Sequence, residues 1–207
     1  FIKHKIITIN NGFDIKEIKL LSKEKTNNIK FNKFLKGKKK ILLACGRLAD
    51  QKGFINLIKA SYILKDKLNY HLFIIGEGPQ RKELEHLIQE KKLDNHISLV
   101  GKVENPFSYM AKCDLFILSS KSEGLPGVLI QALICKAQII STDCQHGPKE
   151  ILKEGVYGKL VKVDDYKELA MGISKQIRNP INYNTNEIEN IYSIDYALRE
   201  YKKIFKI

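Results

Sequence analysis

Short runs that are apolar on both alternating positions recur along the chain, and longer segments of helical period separate them. The runs are "KIITI" (5–9), "KILLAC" (40–45), "YHLFIIG" (70–76), "HISLVG" (96–101), "DLFILSS" (114–120), "AQIIST" (137–142) and "KLVKV" (159–163). A strand facing water on one side alternates apolar with polar residues, whereas "LFII" and "LFIL" are apolar throughout and must be covered on both faces. The helical patterns fall at 53–66, 80–92, 106–112, 126–135, 147–153 and 165–178. Strand and helix in strict alternation predict an α/β, Rossmann-like three-layer domain with a mostly parallel sheet.

The ends break this rhythm. Residues 21–40, "LSKEKTNNIKFNKFLKGKKK", are rich in Lys and Asn with little apolar period, and read as a linker or solvated loop. After Pro180 comes a polar connector, "INYNTNEIEN", and then "YSIDYALREYKKIF", in which Tyr192, Tyr196, Tyr201 and Phe205 line a final helix with no evident partner in the sheet. The regular domain is thus expected over 41–180, with residues 181–207 as connector and terminal helix.

The formal charge of +13 raises the question of a polyanionic partner. Only Arg47, Arg81, Arg178 and Arg199 among the 36 basic residues are arginines, and the chain abounds in Ile and Asn, a usage that reflects an AT-rich genome more than selected base readout. Nucleic acid is therefore set aside, while an anionic small molecule and peripheral association with an anionic membrane stay compatible with the charge. Cys45, Cys113, Cys135 and Cys144 show no Cys-x-x-Cys spacing and read as small buried hydrophobes of a reducing compartment. With no apolar run of spanning length and no visible signal peptide, the expected location is cytoplasmic or at the inner face of the membrane. A first residue Phe1 in place of Met suggests a fragment.

In an open parallel sheet, ligands bind at the carboxyl ends of the strands, where loops enter helix N-termini with unpaired N–H groups. Three junctions qualify. "LLACGRLADQKGF" places Gly46 and Arg47 after a strand and Lys52 at the start of a helix, a pair of cations able to grip a diphosphate and stabilise its charge as it leaves. "FIIGEGPQRKELE" matches G-x-G-x-x-G only in part, because Arg81 stands where the third Gly belongs, so a dinucleotide fingerprint is weak there. "SKSEGLPGVLIQAL" sets Glu123 in a loop before Pro126 at a helix start, with Gln131 one turn in and leaning back toward the helix N-terminus. The plainer readings are surface cations for Arg47 and Lys52, dipole complementation for Glu123 and a local hydrogen bond for Gln131.

Together these junctions resemble glycosyltransferase family 4, retaining sugar transferases of the GT-B fold, and specifically the C-terminal, donor-binding domain. The resemblance rests on "ITINNGFD" (7–14), "GRLADQKGF" (46–54), "FIIGEGP" (73–79), "ISLVGKVENP" (97–106), "SEGLPGVLIQAL" (122–133) and "STDCQHGPKEIL" (141–152), in the family's order over nearly the whole chain. It implies that Arg47 and Lys52, beside Gly46, hold the donor diphosphate without a metal or other cofactor. Glu123 matches the first Glu of an E-x(7)-E motif and is expected to contact the donor sugar. Backbone N–H groups in the stretch Gly124, Leu125, Pro126, Gly127, Val128 and Leu129 are expected to support sugar and phosphate, and Gly101, Lys102 and Val103 to receive the nucleobase. Gln131 stands in place of the second Glu, which holds the ribose hydroxyls; the neutral amide weakens that contact. Gly127 replaces an Asn common in relatives.

The resemblance also makes residues 1–20 a hinge-like segment with a first strand, and the terminal helix an element that packs on an N-terminal, acceptor-binding domain. The function so implied is donor binding for transfer of a hexose or N-acetylhexosamine, UDP-linked, to a glycan or lipid-linked saccharide of the cell envelope, with catalysis by Glu123, Arg47 and Lys52. "HGPKEIL" resembles users of UDP-hexosamine or UDP-galactose. The rival is a noncatalytic nucleotide-sugar module or the relic of a split gene, which Gln131 favours. An NAD-dependent oxidoreductase is disfavoured by the absent third Gly.

Overall fold

A computed structural model describes residues 7–205. A six-stranded parallel sheet forms from β1 (Lys40–Cys45), β2 (Tyr70–Ile75), β3 (Ile97–Gly101), β4 (Leu115–Leu118), β5 (Ile139–Thr142) and β6 (Lys159–Val161). Their spatial order is β3-β2-β1-β4-β5-β6, the doubly wound arrangement in which strand order reverses between β1 and β4. Residues 5 and 6 of the expected strand at 5–9 lie outside the described residues, and 7–9 are not in a strand.

Period-two alternation divides each strand between two cores. Ile41, Leu43, Phe116, Leu118 and Ile139 face one layer, made by α1 (Ile15–Leu21), α2 (Ile29–Leu35), α5 (Phe107–Met110), α6 (Gly127–Ile134), the short α7 (Pro148–Ile151) and α9 (Asn186–Ile191). Leu42, Ala44, Leu115, Ile117 and Ile140 face the other, made by α3 (Phe54–Leu64), α4 (Arg81–Glu90) and α8 (Tyr166–Arg178). The expected three layers are present, with elements a few residues shorter than the sequence patterns because the strand ends become loops.

Residues 21–40 depart from the expected solvated linker. Asn28 caps α2 by accepting the Phe31 N–H at 2.8 Å, and Phe31 is fully buried between the rings of Phe73 and Tyr109. Phe34, one turn on, stacks on His71 of β2. Two aromatic residues at helical spacing are enough to anchor this helix, and the surrounding lysines obscured their period. The polar connector likewise contains α9, which buries Ile188, and Tyr192 is buried instead of lying on the terminal helix.

That terminal helix, α10 (Ile194–Phe205), carries Ile194, Leu198, Tyr201 and Phe205 on one exposed stripe. It is tied to the start of the described chain: Phe13 donates its N–H to the Tyr192 carbonyl at 2.8 Å and accepts from the Ile194 N–H at 3.1 Å. No helix among the described residues is long and apolar enough to cross a membrane.

Candidate active site

The reversal of strand order opens a crevice between the loops that follow β1 and β4, since the connections from these strands run to opposite faces. Residues 46–53 leave β1 and residues 119–126 leave β4. The two loops are cross-linked at every level. Ser119 Oγ donates to the Lys52 carbonyl at 2.9 Å, Lys121 N–H to the Gln51 carbonyl at 2.8 Å, and Gln51 Nε2 to the Ser122 carbonyl at 2.9 Å. Gly53 closes the join: its φ is +64°, and a Cβ there would sit 2.1 Å from the Ser119 carbonyl oxygen. Any side chain would push the loops apart.

At the centre Lys52 Nζ meets Glu123 Oε1 at 2.7 Å. The same oxygen accepts from Ser120 Oγ at 2.6 Å, so both donors converge on one edge of the carboxylate. The Glu123 side chain is only 7% exposed and that of Lys52 21%, which makes this pair better shielded from water than an ordinary surface ion pair. Lys52 also lies along Gly46, whose missing side chain leaves room for its methylenes. Flanking cysteines stay protonated. Burial pushes the Cys45 thiol up to about 11, against the pull of Lys52, and burial together with Glu123 raises that of Cys144.

The other candidate residues divide around this pair. Arg47, next along the chain from Gly46, is exposed and, among the described residues, its side chain has no hydrogen-bond or ion-pair partner. Gln131 is half-buried on α6 and is likewise without a side-chain partner among them. Gly124 is exposed, Leu125 half-buried and Pro126 buried. Among the described residues the N–H groups of Gly127 and Val128, in the first turn of α6, have no acceptor, as helix geometry requires. Leu129 differs from expectation: it is fully buried, and its N–H is bound to the Pro126 carbonyl at 2.9 Å, which removes it from any ligand. A Cβ on Gly127 would lie 3.1 Å from Cζ of Phe13, so an aromatic ring occupies the space beside this helix start.

The β3 end reaches the crevice through β2. Gly46 N–H binds the Ile75 carbonyl at 2.9 Å and Gly76 N–H the Gly101 carbonyl at 2.9 Å, which sets the three loop starts side by side. Lys102 and Val103 line a cavity of about 460 Å³ together with Thr26, Asn28 and Tyr109. Sequence reasoning missed Gln51, Ser119, Ser120 and Thr142. The one legible signal was Ser120 three residues before Glu123, the spacing at which a hydroxyl and a carboxylate meet across a helix-like turn.

Arranged in this way, the crevice offers the Lys52 ammonium, which can leave its carboxylate for an anionic ligand, the Arg47 guanidinium in the same loop, and two open N–H groups. Such a set has the chemistry to hold a phosphate or diphosphate group. Comparisons with known proteins fit the geometry. Residues 25–193 match the family model described as glycosyl transferases group 1. A Campylobacter jejuni protein named N-acetylgalactosamine-N,N'-diacetylbacillosaminyl-diphospho-undecaprenol 4-alpha-N-acetylgalactosaminyltransferase is 37% identical over 142 residues, which are 69% of this chain and 38% of the relative. Among solved structures, a glycosyltransferase from Rickettsia africae superposes with a TM-score of 0.80 at 20% identity, over 98% of this chain and 57% of that one. The HepE protein of Anabaena, solved with UDP and glucose, gives 0.80 at 23% identity, over 96% of this chain and 56% of its own. The chain therefore spans under two fifths of that curated relative and somewhat more than half of these solved chains.

Proposed function

The chain belongs to the glycosyl transferases of group 1, and from that membership we propose that it is the donor-binding half of a retaining, family 4 enzyme. It would take a hexose or N-acetylhexosamine from a UDP-linked donor and deliver it to a glycan or lipid-linked saccharide. The observation that carries this reading is the Lys52–Glu123 pair at the switch point of the sheet, with the exposed Arg47 in the same loop as Lys52. In the donor complex Lys52 and Arg47 hold the diphosphate, and Glu123, released from Lys52, faces the sugar. As the bond from the anomeric carbon to the phosphate oxygen breaks, the two cations stabilise the departing UDP, and the acceptor hydroxyl attacks from the same face, passing its proton to the departing phosphate oxygen. No side chain is assigned as a covalent nucleophile, and no metal is called on, since the cations supply the charge.

The remaining roles follow from position. The N–H groups of Gly127 and Val128 support phosphate and sugar, Gln131 accepts from the ribose, and the backbone at Gly101, Lys102 and Val103 receives the base. The Campylobacter relative is named for transfer of N-acetylgalactosamine to a diphospho-undecaprenol saccharide, and the Anabaena structure holds UDP, which supports a UDP-linked donor and a lipid-linked acceptor here. Acceptor binding is assigned to an N-terminal domain against which the apolar stripe of α10 packs, and any membrane contact to the assembled protein at the cytoplasmic face. The second reading, a noncatalytic nucleotide-sugar module, is favoured by Gln131 alone, which stands where a carboxylate is expected.

Calorimetric titration with UDP, GDP and ADP tests the proposal. Saturable binding of UDP is expected, weakened about tenfold or more in both Arg47→Ala and Lys52→Ala. Absence of binding by the intact chain to all three nucleotides would sink it.

A further inference from the structure

Glu123 presents an asymmetric carboxylate. Oε1 receives both Lys52 Nζ, at 2.7 Å, and Ser120 Oγ, at 2.6 Å, while Oε2 has no partner among the described residues. When a diphosphate draws Lys52 away, the proposed reading leaves a carboxylate only 7% exposed with one remaining protein donor, the Ser120 hydroxyl. That hydroxyl is itself fixed. Ser120 is fully buried, and its carbonyl accepts from Thr142 Oγ1 of β5 at 2.6 Å; Thr142 is 3% exposed. The peptide on either side is also held, since Ser119 Oγ binds the Lys52 carbonyl and Lys121 N–H the Gln51 carbonyl.

We infer that Ser120 is a positioning residue for the transfer: it retains Glu123 Oε1 when Lys52 changes partner from carboxylate to diphosphate, and so keeps Oε2 aimed at the donor sugar. Thr142 is its anchor in the neighbouring strand. A short hydrogen bond from a buried hydroxyl suits this task because it fixes the plane of the carboxylate. Lys52 cannot serve both ends at once, so without Ser120 the carboxylate would be free to rotate at the moment it is needed. This inference rests on the reading of Glu123 as the sugar contact.

Its signature is a split between ligands with and without the sugar. The full chain is titrated with UDP and with UDP-N-acetylgalactosamine, UDP-N-acetylglucosamine and UDP-glucose, keeping the sugar nucleotide that binds tightest. Ser120→Ala is expected to weaken the sugar nucleotide about tenfold while the Kd for UDP stays within about twofold. Thr142→Val, which loosens the anchor without touching the carboxylate, shifts the same ratio in the same direction by a smaller factor. The inference is overturned if Ser120→Ala leaves the ratio unchanged, or if it weakens UDP and sugar nucleotide equally, as a merely structural serine would. Glu123→Gln separates the two levels. An altered ratio in Glu123→Gln with none in Ser120→Ala removes only the role of Ser120, whereas no change in either removes the reading of Glu123 itself.

Discussion

Two regions hold β1 in place by opposite means. At its carboxyl end, the loops 46–53 and 119–123 are joined by glycine contacts, backbone hydrogen bonds and the Lys52–Glu123 pair. Over its flank, α2 sits on the sheet through Phe31, Phe34, His71, Phe73 and Tyr109, ring against ring. The first region is held by polar groups of fixed direction and tolerates little change of shape. The second is held by apolar area, which is less directional, and it meets the crevice only where Tyr109 and Asn28 line the cavity beside Lys102 and Val103, with Phe31 itself behind them. If this contrast is right, damage to the crevice should remove nucleotide binding together with stability, whereas damage to the aromatic layer should lower stability alone.

Gly76→Ala gives the largest expected effect. Gly76 has φ +140°, and a Cβ there would fall 1.9 Å from the Gly46 carbonyl oxygen, a backbone atom that cannot step aside without moving Arg47 and Lys52. A loss of about 4 kcal/mol or more is expected, with loss of UDP affinity in whatever fraction still folds. Denaturant unfolding and titration of the same sample check both halves of the statement. Normal UDP affinity in a destabilised Gly76→Ala protein would break the contrast.

Phe31→Ala is its counterpart. The ring is fully buried, with centroids 4.9 Å from that of Phe73 and 4.7 Å from that of Tyr109. Truncation should cost about 3 to 4 kcal/mol through the cavity left behind. Measured below its lowered Tm, the variant should bind UDP like the parent.

The same layer sets a pH dependence. His71 is fully buried, bonded to Ser98 Oγ at 2.8 Å, and burial, helped by Lys30, holds its pKa down from 6.5 to about 4. The unfolded chain takes up this proton below about 6.5 and the folded chain only near 4, so the contribution is whole above 6.5 and is lost as pH falls through that window. The loss is at most on the order of 3 kcal/mol. Chemical denaturation between pH 7 and pH 4 should show the decline, and His71→Gln should flatten it.

The contrast also explains what could be read from the chain beforehand. The crevice was legible because its requirements are chemical and local: Gly46, Lys52 and Glu123 sit at strand ends, where a parallel sheet places its ligands, and each type is needed for what it does there. The register of the stitching was not legible. Nothing in "LADQ" announces that Gln51 reaches Ser122, or that Thr142, a strand away, fixes Ser120. Leu129 shows the limit of assigning a whole helix start to a ligand, since only geometry reveals that its N–H is already taken. The α2 layer was misread for a related reason. A seven-residue helix anchored by Phe31 and Phe34 has too few turns for its period to stand out among lysines, and its partner rings are distant in sequence.

The smallest predicted effect asks whether the crevice is as demanding at its rim as at its centre. Gln131 lies half-buried on α6, without a side-chain partner among the described residues and one turn in from the open N–H groups of Gly127 and Val128. An amide oxygen there accepts a hydroxyl without charge assistance, and a carboxylate accepts it with. Gln131→Glu adds no volume and meets no existing bond, so the fold should be indifferent. The positive end of α6 favours the new charge. Affinity for UDP should therefore rise about tenfold, near 1.4 kcal/mol, with Tm unchanged, and the gain should vanish with a ligand that lacks the ribose, such as inorganic diphosphate. A loss of affinity for both UDP and diphosphate would place residue 131 beside the phosphates instead, where a second negative charge repels them. No change with either ligand would mean that the rim, unlike the centre built on Lys52 and Glu123, takes no part in recognition.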